Sequence, residues 1–426
     1  MNEALLQYIW KFGLFDHKEL QTLCGKNVTV VHPGYHNSNS GPDFTHAKIQ
    51  IGDTLWVGSI ELHINGRNWY EHRHDNDPAY RNVILHVTLQ SDQHTFKCLD
   101  NQHIPCIELE KKIDARLIEK YTMLMNSRQP VACAAFLADT PESEKNVAIE
   151  KMGIGRMEEK YRAIAEMLQQ TENDWEQVGW RLMARYLGSG IHGDALEQTA
   201  ASLPVRMLMK HSDNPIQIEA LVFGVAGFLN ENFTEEYPLT LQREYRYLKK
   251  LHNLHELNPG LFKWARTRPA NFPTLRLAQL AAIGSRWSGF FRKLLEEDSN
   301  FLSKFFETLN IHPYWKEHYR FEEKAKNPYV RVGQTTQNLI AINAIAPLLF
   351  AYGKHTGDEK LTDKSLEILN SLKGEKNHIT RLYAQYRWHA QSAFESQGLL
   401  HLKKNYCDKK KCLHCTIGHF WLKRQA

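Results

Sequence analysis

The residues most capable of chemistry in this chain form two short motifs, Gly41-Pro42-Asp43 and Glu61-Leu62-His63. Side chains two positions apart on a strand point to one face, so Glu61 and His63 can converge on a common site. An Asp43 on the neighbouring strand can join them. Carboxylates bind Mg²⁺ together with waters and phosphate oxygens, and a bound metal can activate water for phosphodiester hydrolysis. The pattern predicts a divalent metal site with Asp43 and Glu61 as ligands.

This arrangement resembles the PD-(D/E)xK nuclease superfamily, whose fold is restriction-endonuclease-like. The superfamily places an Asp near a strand start and an acid-x-Lys on the next strand, followed by a helix and another strand. The resemblance implies Mg²⁺ or Mn²⁺ at Asp43 and Glu61 and a DNA or RNA substrate. His63 stands in place of the lysine, and a histidine is not a constant positive charge near neutral pH. Either His63 or Lys48, on the intervening strand, is then the remaining catalytic residue, or the site is inactive.

The register of one hairpin decides whether these residues meet. A two-residue turn at Gly52-Asp53 pairs Ile51 with Thr54, sets Phe44 opposite Glu61 and leaves Asp43 on the wrong face. A three-residue loop sets Asp43 opposite His63 instead. The alternative is that Asp43 belongs to a turn and Glu61 forms a surface ion pair.

Histidines support a second interpretation of the same region, because 10 of the 22 in the chain lie within residues 1–110. Imidazoles combined with carboxylates suit Zn²⁺ or Fe²⁺. The candidate ligands of such a site lie within 26 residues: Glu61, His63, His72, His74, Asp77 and His86.

The C-terminal tail contains three clustered cysteines, Cys407, Cys412 and Cys415, with His419 close behind. Their spacing suits tetrahedral Zn²⁺ in a structural site, with His419 or His414 as the fourth ligand. The alternative is an iron–sulfur cluster that takes a fourth cysteine from elsewhere, either Cys133 or Cys106. Three reduced cysteines without a metal are the remaining possibility.

Two groups of basic residues are candidate contacts to nucleic-acid phosphates. Arg266, Arg268 and Arg276 flank the start of a predicted helix, where guanidinium groups suit phosphate oxygens. Lys409, Lys410 and Lys411 lie between the tail cysteines. The alternative for the arginines is that they brace neighbouring helices through carboxylates.

Composition excludes several classes of protein. The 426 residues are 42% hydrophobic and 24% charged, as in an ordinary globular protein, which excludes collagen-like, mucin-like and wholly disordered chains. No run approaches the roughly 18 apolar residues of a membrane span, and no secretory signal is visible, so we expect a cytoplasmic protein without membrane contact. The net charge of +5 conceals an acidic first quarter, 8 Lys/Arg against 13 Asp/Glu in residues 1–110, and a basic tail.

The secondary-structure elements that position these residues are predicted to be mainly strands in the N-terminal quarter of the chain and mainly helices in the remainder. Alternation predicts strands at 28–32, 44–51, 55–64 and 83–90 and a hairpin within 95–109, and the segment 17–23 has helical spacing. After residue 111 the spacing is almost entirely helical, and it predicts helices at 175–187 and 290–310 among others. We therefore predict an α+β protein with three segments: a small α/β domain at 1–112, a helical body at 113–310 and a helical C-terminal region with the cysteine tail at 311–426.

Five segments are together similar to an uncharacterised bacterial family, domain of unknown function 2851: residues 41–44, 58–63, 83–87, 268–273 and 406–415. That family brings no established activity. The leading hypothesis is a metal-dependent, nuclease-like phosphodiesterase. The alternatives are a non-enzymatic, zinc-stabilised nucleic-acid-binding or scaffold protein, and a histidine-rich metalloenzyme acting on a small molecule. The sequence leaves the oligomeric state open.

Overall fold

A computed structural model describes residues 1–93, 95–98, 102–265, 267–298, 300–326, 328 and 330–424. The chain forms two compact units, Met1–Ala148 with Leu402–Ala426, and Ile149–His401. The first unit therefore contains both the predicted α/β segment and the cysteine tail, which the three predicted segments kept apart. Both groups of candidate metal ligands belong to this first unit.

A mixed sheet forms the centre of the first unit. Its strand order is β1-β3-β4-β5-β7-β6, and β2 pairs with the edge of β3. Strand β3 is antiparallel to β1 and β4, whereas β4, β5 and β7 are parallel to one another. The strands are β1 (Val28–His32), β2 (Tyr35–His36), β3 (Phe44–Ile51), β4 (Thr54–Asn65), β5 (Val83–Gln90), β6 (Thr95–Lys97) and β7 (His103–Glu108).

Helices of the first unit cover this sheet. Helix α1 lies against β4 and buries Leu5, Leu6 and Ile9 in the core beside the sheet. Asn2 caps its first turn, and Gly13 ends it with a φ of 60°. The predicted helix at 17–23 is wrong, because this segment is irregular and pairs with the chain at Asn27. The helices are α1 (Glu3–Phe12), α2 (Asn68–Glu71), α3 (Ala115–Asn126), α4 (Ala134–Leu137) and α19 (Thr416–Lys423).

The second unit is almost entirely helical and has its own apolar core, to which Trp180, Phe223 and Trp287 contribute. The predicted helix at 290–310 is two helices, whereas the one at 175–187 is present as predicted. The α+β class is confirmed. The elements from the unit boundary onward are α5 (Glu142–Gln170), α6 (Trp175–Leu187), α7 (Ser189–Ala201), α8 (Val205–Lys210), α9 (Pro215–Val225), α10 (Glu236–His252), α11 (Pro273–Ser285), α12 (Phe290–Glu296), α13 (Phe301–Glu307), β8 (His318–Arg320), β9 (Glu323–Lys324), α14 (Gln334–Ile340), α15 (Ala346–Thr356), α16 (Glu359–Ser371), α17 (His378–Ala384) and α18 (Ala393–Leu402). Within the described ranges, no helix is both long enough and apolar enough to cross a bilayer.

Candidate metal centre

A β-bulge in β3 brings Asp43 and Glu61 together. The hairpin has the two-residue turn, with Ile51 paired to Thr54, but Phe44 pairs with Ile60 because the register shifts between Phe44 and Ala47. His46 adopts a φ of 57° there, so two residues of β3 face one residue of β4. This extra residue moves Asp43 opposite Glu61, which neither predicted register did.

Direct hydrogen bonds hold the two acids. The backbone amide of Asp43 donates to Glu61 Oε2 over 3.0 Å, and the amide of Leu62 donates to Asp43 Oδ2 over 3.1 Å. Gln7 of α1 donates its side-chain amide to Asp43 Oδ1 over 2.8 Å. Burial raises the pKa of Asp43 to about 6, and burial together with the charge of Asp43 raises the pKa of Glu61 to about 9. Two carboxylates held this close suit a shared cation.

Two histidines lie beside the other oxygen of Glu61, and a third lies beside one of them. Glu61 Oε1 lies 3.6 Å from His63 Nε2 and 3.4 Å from His74 Nε2. His63 Nε2 lies 3.2 Å from His72 Nδ1. Ligands about 2.1 Å from a tetrahedral ion lie about 3.4 Å from one another. These three separations are therefore close to the edge of such a tetrahedron.

The environment keeps the imidazoles of His63 and His74 neutral, which is the form that binds metals. Burial, with the neighbouring histidines, lowers the pKa of His63 to about 3 and that of His74 to about 4. His63 and His74 are buried, whereas His72 is exposed, so the cluster reaches the protein surface at His72. Within the described part of the chain, Nε2 of His74 is buried without a hydrogen-bond partner, close to Glu61 Oε1.

Neighbouring aromatic and histidine side chains fix the orientation of His63 and His74. His86 of β5 contacts His63, with 2.9 Å between His86 Nε2 and His63 Nδ1, and Tyr80 stacks on His74 with ring centroids 3.8 Å apart. Trp69 packs on both His74 and His86. Among the histidine-site candidates, Asp77 instead caps the turn at Pro78–Tyr80 by accepting from the Ala79 amide.

Sequence reasoning did not identify Gln7 or Tyr80, because both reach the site from other segments. It did identify Lys48, which the structure places elsewhere. Lys48 pairs with Val57 on β4, four positions before Glu61, or about 13 Å along the strand. Its side chain is exposed. The structure therefore brings Asp43, Glu61 and His63 together without Lys48.

The tail cysteines meet Cys133 in the first unit. Cys133, Cys407, Cys412 and Cys415 line one small cavity. The predicted ligand His419 lies elsewhere: its Nδ1 is 2.8 Å from the Tyr8 hydroxyl, and its ring packs on Phe12. The cavity lining includes Gly418 but not His419.

The predicted phosphate-binding arginines do not form one surface. Arg276 is buried, and its guanidinium donates to Gln279 Oε1, Asn271 Oδ1 and Thr336 Oγ1. Arg276 therefore links neighbouring segments of the second unit, as the alternative interpretation predicted, but its acceptors are amide and hydroxyl oxygens and not carboxylates. Arg268 is exposed, and Arg266 lies outside the described residues.

The first unit has a basic cleft that sequence reasoning missed. The tail lysines Lys409 and Lys410 are exposed, but their ammonium groups contact Asn405 Oδ1 and the carbonyl of Met125. The cleft, about 500 Å³ in volume, is lined instead by basic residues from two parts of the chain, with Asp16 and Asp114 as acidic neighbours. The basic residues are Lys111, Lys112, Arg116, Lys120, Lys423 and Arg424.

Comparison with known families covers most of the chain. Residues 3–378 match the model described as "Protein of unknown function (DUF2851)". The chain belongs to this family. The DUF2851 match contains the carboxylates, the histidines and Cys133, and it ends before the three tail cysteines. Searches of the curated proteins and of the solved structures found no similar chain.

Proposed function

We propose that this protein is a divalent-metal-dependent hydrolase of phosphodiesters, with DNA or RNA as substrate. The observation that supports it most is the approach of Glu61 to His63 and His74, and of His63 to His72, at distances typical of ligands on one ion, with Asp43 bonded beside Glu61. Mixed oxygen and nitrogen ligands suit Zn²⁺ or Fe²⁺, whereas Mg²⁺ and Mn²⁺ prefer oxygen ligands and would rest mainly on the carboxylates of Glu61 and Asp43.

The order of elements supports the resemblance to the PD-(D/E)xK superfamily. Asp43 immediately precedes β3, and Glu61-Leu62-His63 lies on the next strand, β4. Helix α2 and then the parallel strand β5 follow, in the order that the superfamily motif implies. The departure is His63, which is buried and neutral and so serves as a metal ligand, not as a fixed positive charge.

The residues divide the chemistry among them. A bound divalent ion would supply an activated water and neutralise phosphate charge. Asp43, half-buried beside Glu61, is placed to accept a proton or to bind a second ion. Gln7 orients Asp43 through its hydrogen bond, and His86 orients His63. The basic cleft provides a surface for the phosphate backbone.

The direct test is cleavage of labelled DNA and RNA by the full-length protein with Mn²⁺ or Mg²⁺. We expect Asp43→Ala and Glu61→Ala to lower the cleavage rate at least about 100-fold, since each removes a group that acts on the reacting phosphate or its metal. Glu119→Gln is the matched control, because Glu119 is an exposed carboxylate of the same unit. Equal rates for wild type and both alanine variants, or no cleavage at all, would refute the proposal.

A second candidate, a metalloenzyme acting on a small molecule, is favoured by the three histidines, whose ligand atoms lie within 4.8 Å of one another. Hydrolysis of bis(p-nitrophenyl) phosphate without cleavage of nucleic acid would support it, provided that His72→Ala abolishes this activity. A non-enzymatic, nucleic-acid-binding protein would instead bind in a salt-dependent way that survives Glu61→Ala.

A further inference from the structure

Four of the seven cysteines of the first unit come from two distant parts of the chain and lie close together. Cys133 immediately precedes α4, while Cys407 ends the turn Lys403–Cys407 and Cys415 caps α19. All four line one cavity of about 20 Å³, together with Lys411 and Gly418. A space of this size holds about one water molecule or one ion.

The local backbone is built around this cavity. The amide of Cys415 donates to the carbonyl of Cys412 over 3.2 Å, and the amide of Lys411 donates to the carbonyl of Tyr406 over 2.9 Å. These bonds fold the residues between the cysteines into tight turns. At Gly418 a Cβ would lie 2.2 Å from the carbonyl oxygen of Cys412, so only glycine lets α19 approach the turn.

We propose that Cys133, Cys407, Cys412 and Cys415 hold a zinc ion that fastens the C-terminal tail to the rest of the first unit. Four thiolates complete the tetrahedral ligand set of zinc. A cavity of about 20 Å³ has room for a single ion but not for an iron–sulfur cluster. The position of His419 beside Tyr8 and Phe12 leaves Cys133 to complete the ligand set.

The electrostatics agree with this geometry. Four sulfurs this close repel one another as thiolates, and a cation removes that repulsion. Lys423 and Arg424, which follow the last cysteine, line the basic cleft. The centre would therefore also position part of that cleft.

The experiment measures metal and acid-labile sulfide in the full-length protein purified without oxygen. We expect about one zinc per chain, whereas iron with sulfide in its place would contradict a single-ion site. Cys133→Ser and Cys412→Ser should lose most of this metal. Cys106→Ser, a buried cysteine on β7, and His419→Ala should retain it. His72→Ala separates this metal from any ion held by the histidines.

Alkylation provides a measurement on unaltered protein, which covers the case in which Cys133→Ser does not fold. Cys24 is exposed and should react first. Cys133 and the tail cysteines should react slowly until a chelator removes the metal, and then at least about tenfold faster. The absence of metal, its retention in Cys133→Ser, or alkylation of Cys133 at an unchanged rate after metal removal would each overturn the proposal.

Discussion

Replacement of Glu61 by glutamine should abolish the stabilisation of the first unit by metal while leaving the metal-free protein almost unchanged. Glutamine keeps the shape of the side chain and an oxygen that can accept from the amide of Asp43. Its NH₂ group would face Nε2 of His74, 3.4 Å from the present oxygen and without a hydrogen-bond partner among the described residues. The variant therefore loses an anionic ligand and gains a hydrogen bond, worth about 1 kcal/mol.

The magnitude follows from linkage between binding and folding. A ligand at about 100 times its dissociation constant stabilises the folded state by about 2.7 kcal/mol. The first unit has roughly 170 residues, and 1 kcal/mol shifts the Tm of a unit of this size by about 2–4 °C. We expect Mn²⁺ to raise the Tm of the wild-type unit by about 5–11 °C and that of Glu61→Gln by at most about 2 °C.

Differential scanning calorimetry of the full-length protein, dialysed free of added metal and then scanned with and without Mn²⁺, measures both shifts. Glu119→Gln should keep the full increment, because Glu119 lies on the exposed face of α3. The reasoning is refuted if Glu61→Gln responds to Mn²⁺ as the wild type does, or if the wild-type Tm does not move.

Three further predictions concern other parts of the fold. Burial raises the pKa of Glu219 from 4.5 to about 7, so its contribution to the stability of the second unit is complete below pH 4.5 and is lost as the pH rises to 7. Urea titrations should show that the free energy of unfolding of the wild type falls by up to about 3 kcal/mol over this window, and that of Glu219→Gln by less. Gly34→Ala should lower the free energy of unfolding by about 1–3 kcal/mol and impair cleavage, because Gly34 has a φ of 93° and an added Cβ would lie 2.9 Å from the carbonyl of Thr45 beside the bulge. Gly25→Ala is the control: Gly25 has a φ of 82° but open space around it, so this variant should lose less stability and keep its cleavage activity. Arg276→Ala should lower the unfolding midpoint without altering the salt dependence of nucleic-acid binding, because Arg276 is buried. Lys120→Gln should reduce the slope of log K against log salt concentration by about 1, because Lys120 lines the basic cleft. The reverse result would show that Arg276, and not Lys120, contacts the nucleic acid.

Local pattern was sufficient for most elements of the first unit. Strand β5 was predicted at 83–90 because Val83, Leu85 and Val87 alternate, and it is found at Val83–Gln90. The pattern failed at 17–23, where the backbone amide of Thr22 instead donates to the carbonyl of Lys26. Local spacing reports which face can be buried, but tertiary pairing decides which element forms.

The position of Asp43 could not be predicted because it depends on one extra residue in one strand. His46 adopts the left-handed conformation that glycine or asparagine more often adopts, so the residue type at this position did not indicate a bulge. Without it, the two-residue turn sends Asp43 to the opposite face. Both registers considered from the sequence assumed uninterrupted pairing, and the bulge gave a third.

The two candidate sites differ in how much of each is local, and this difference explains which ligands were recognised. Three cysteines lie within nine residues of the tail, so their spacing alone indicated a metal, but the fourth ligand depended on packing between distant segments. His419 was the nearest residue of the right type along the sequence, and Cys133 is the one that packing brings to the cavity. In the sheet, the parallel pairing of β4 with β5 places Glu61 beside His86, and the turn after α2 returns His72 and His74 to the same point. The types of the candidate ligands could therefore be predicted from the sequence, whereas which candidates lie together could be known only from the fold.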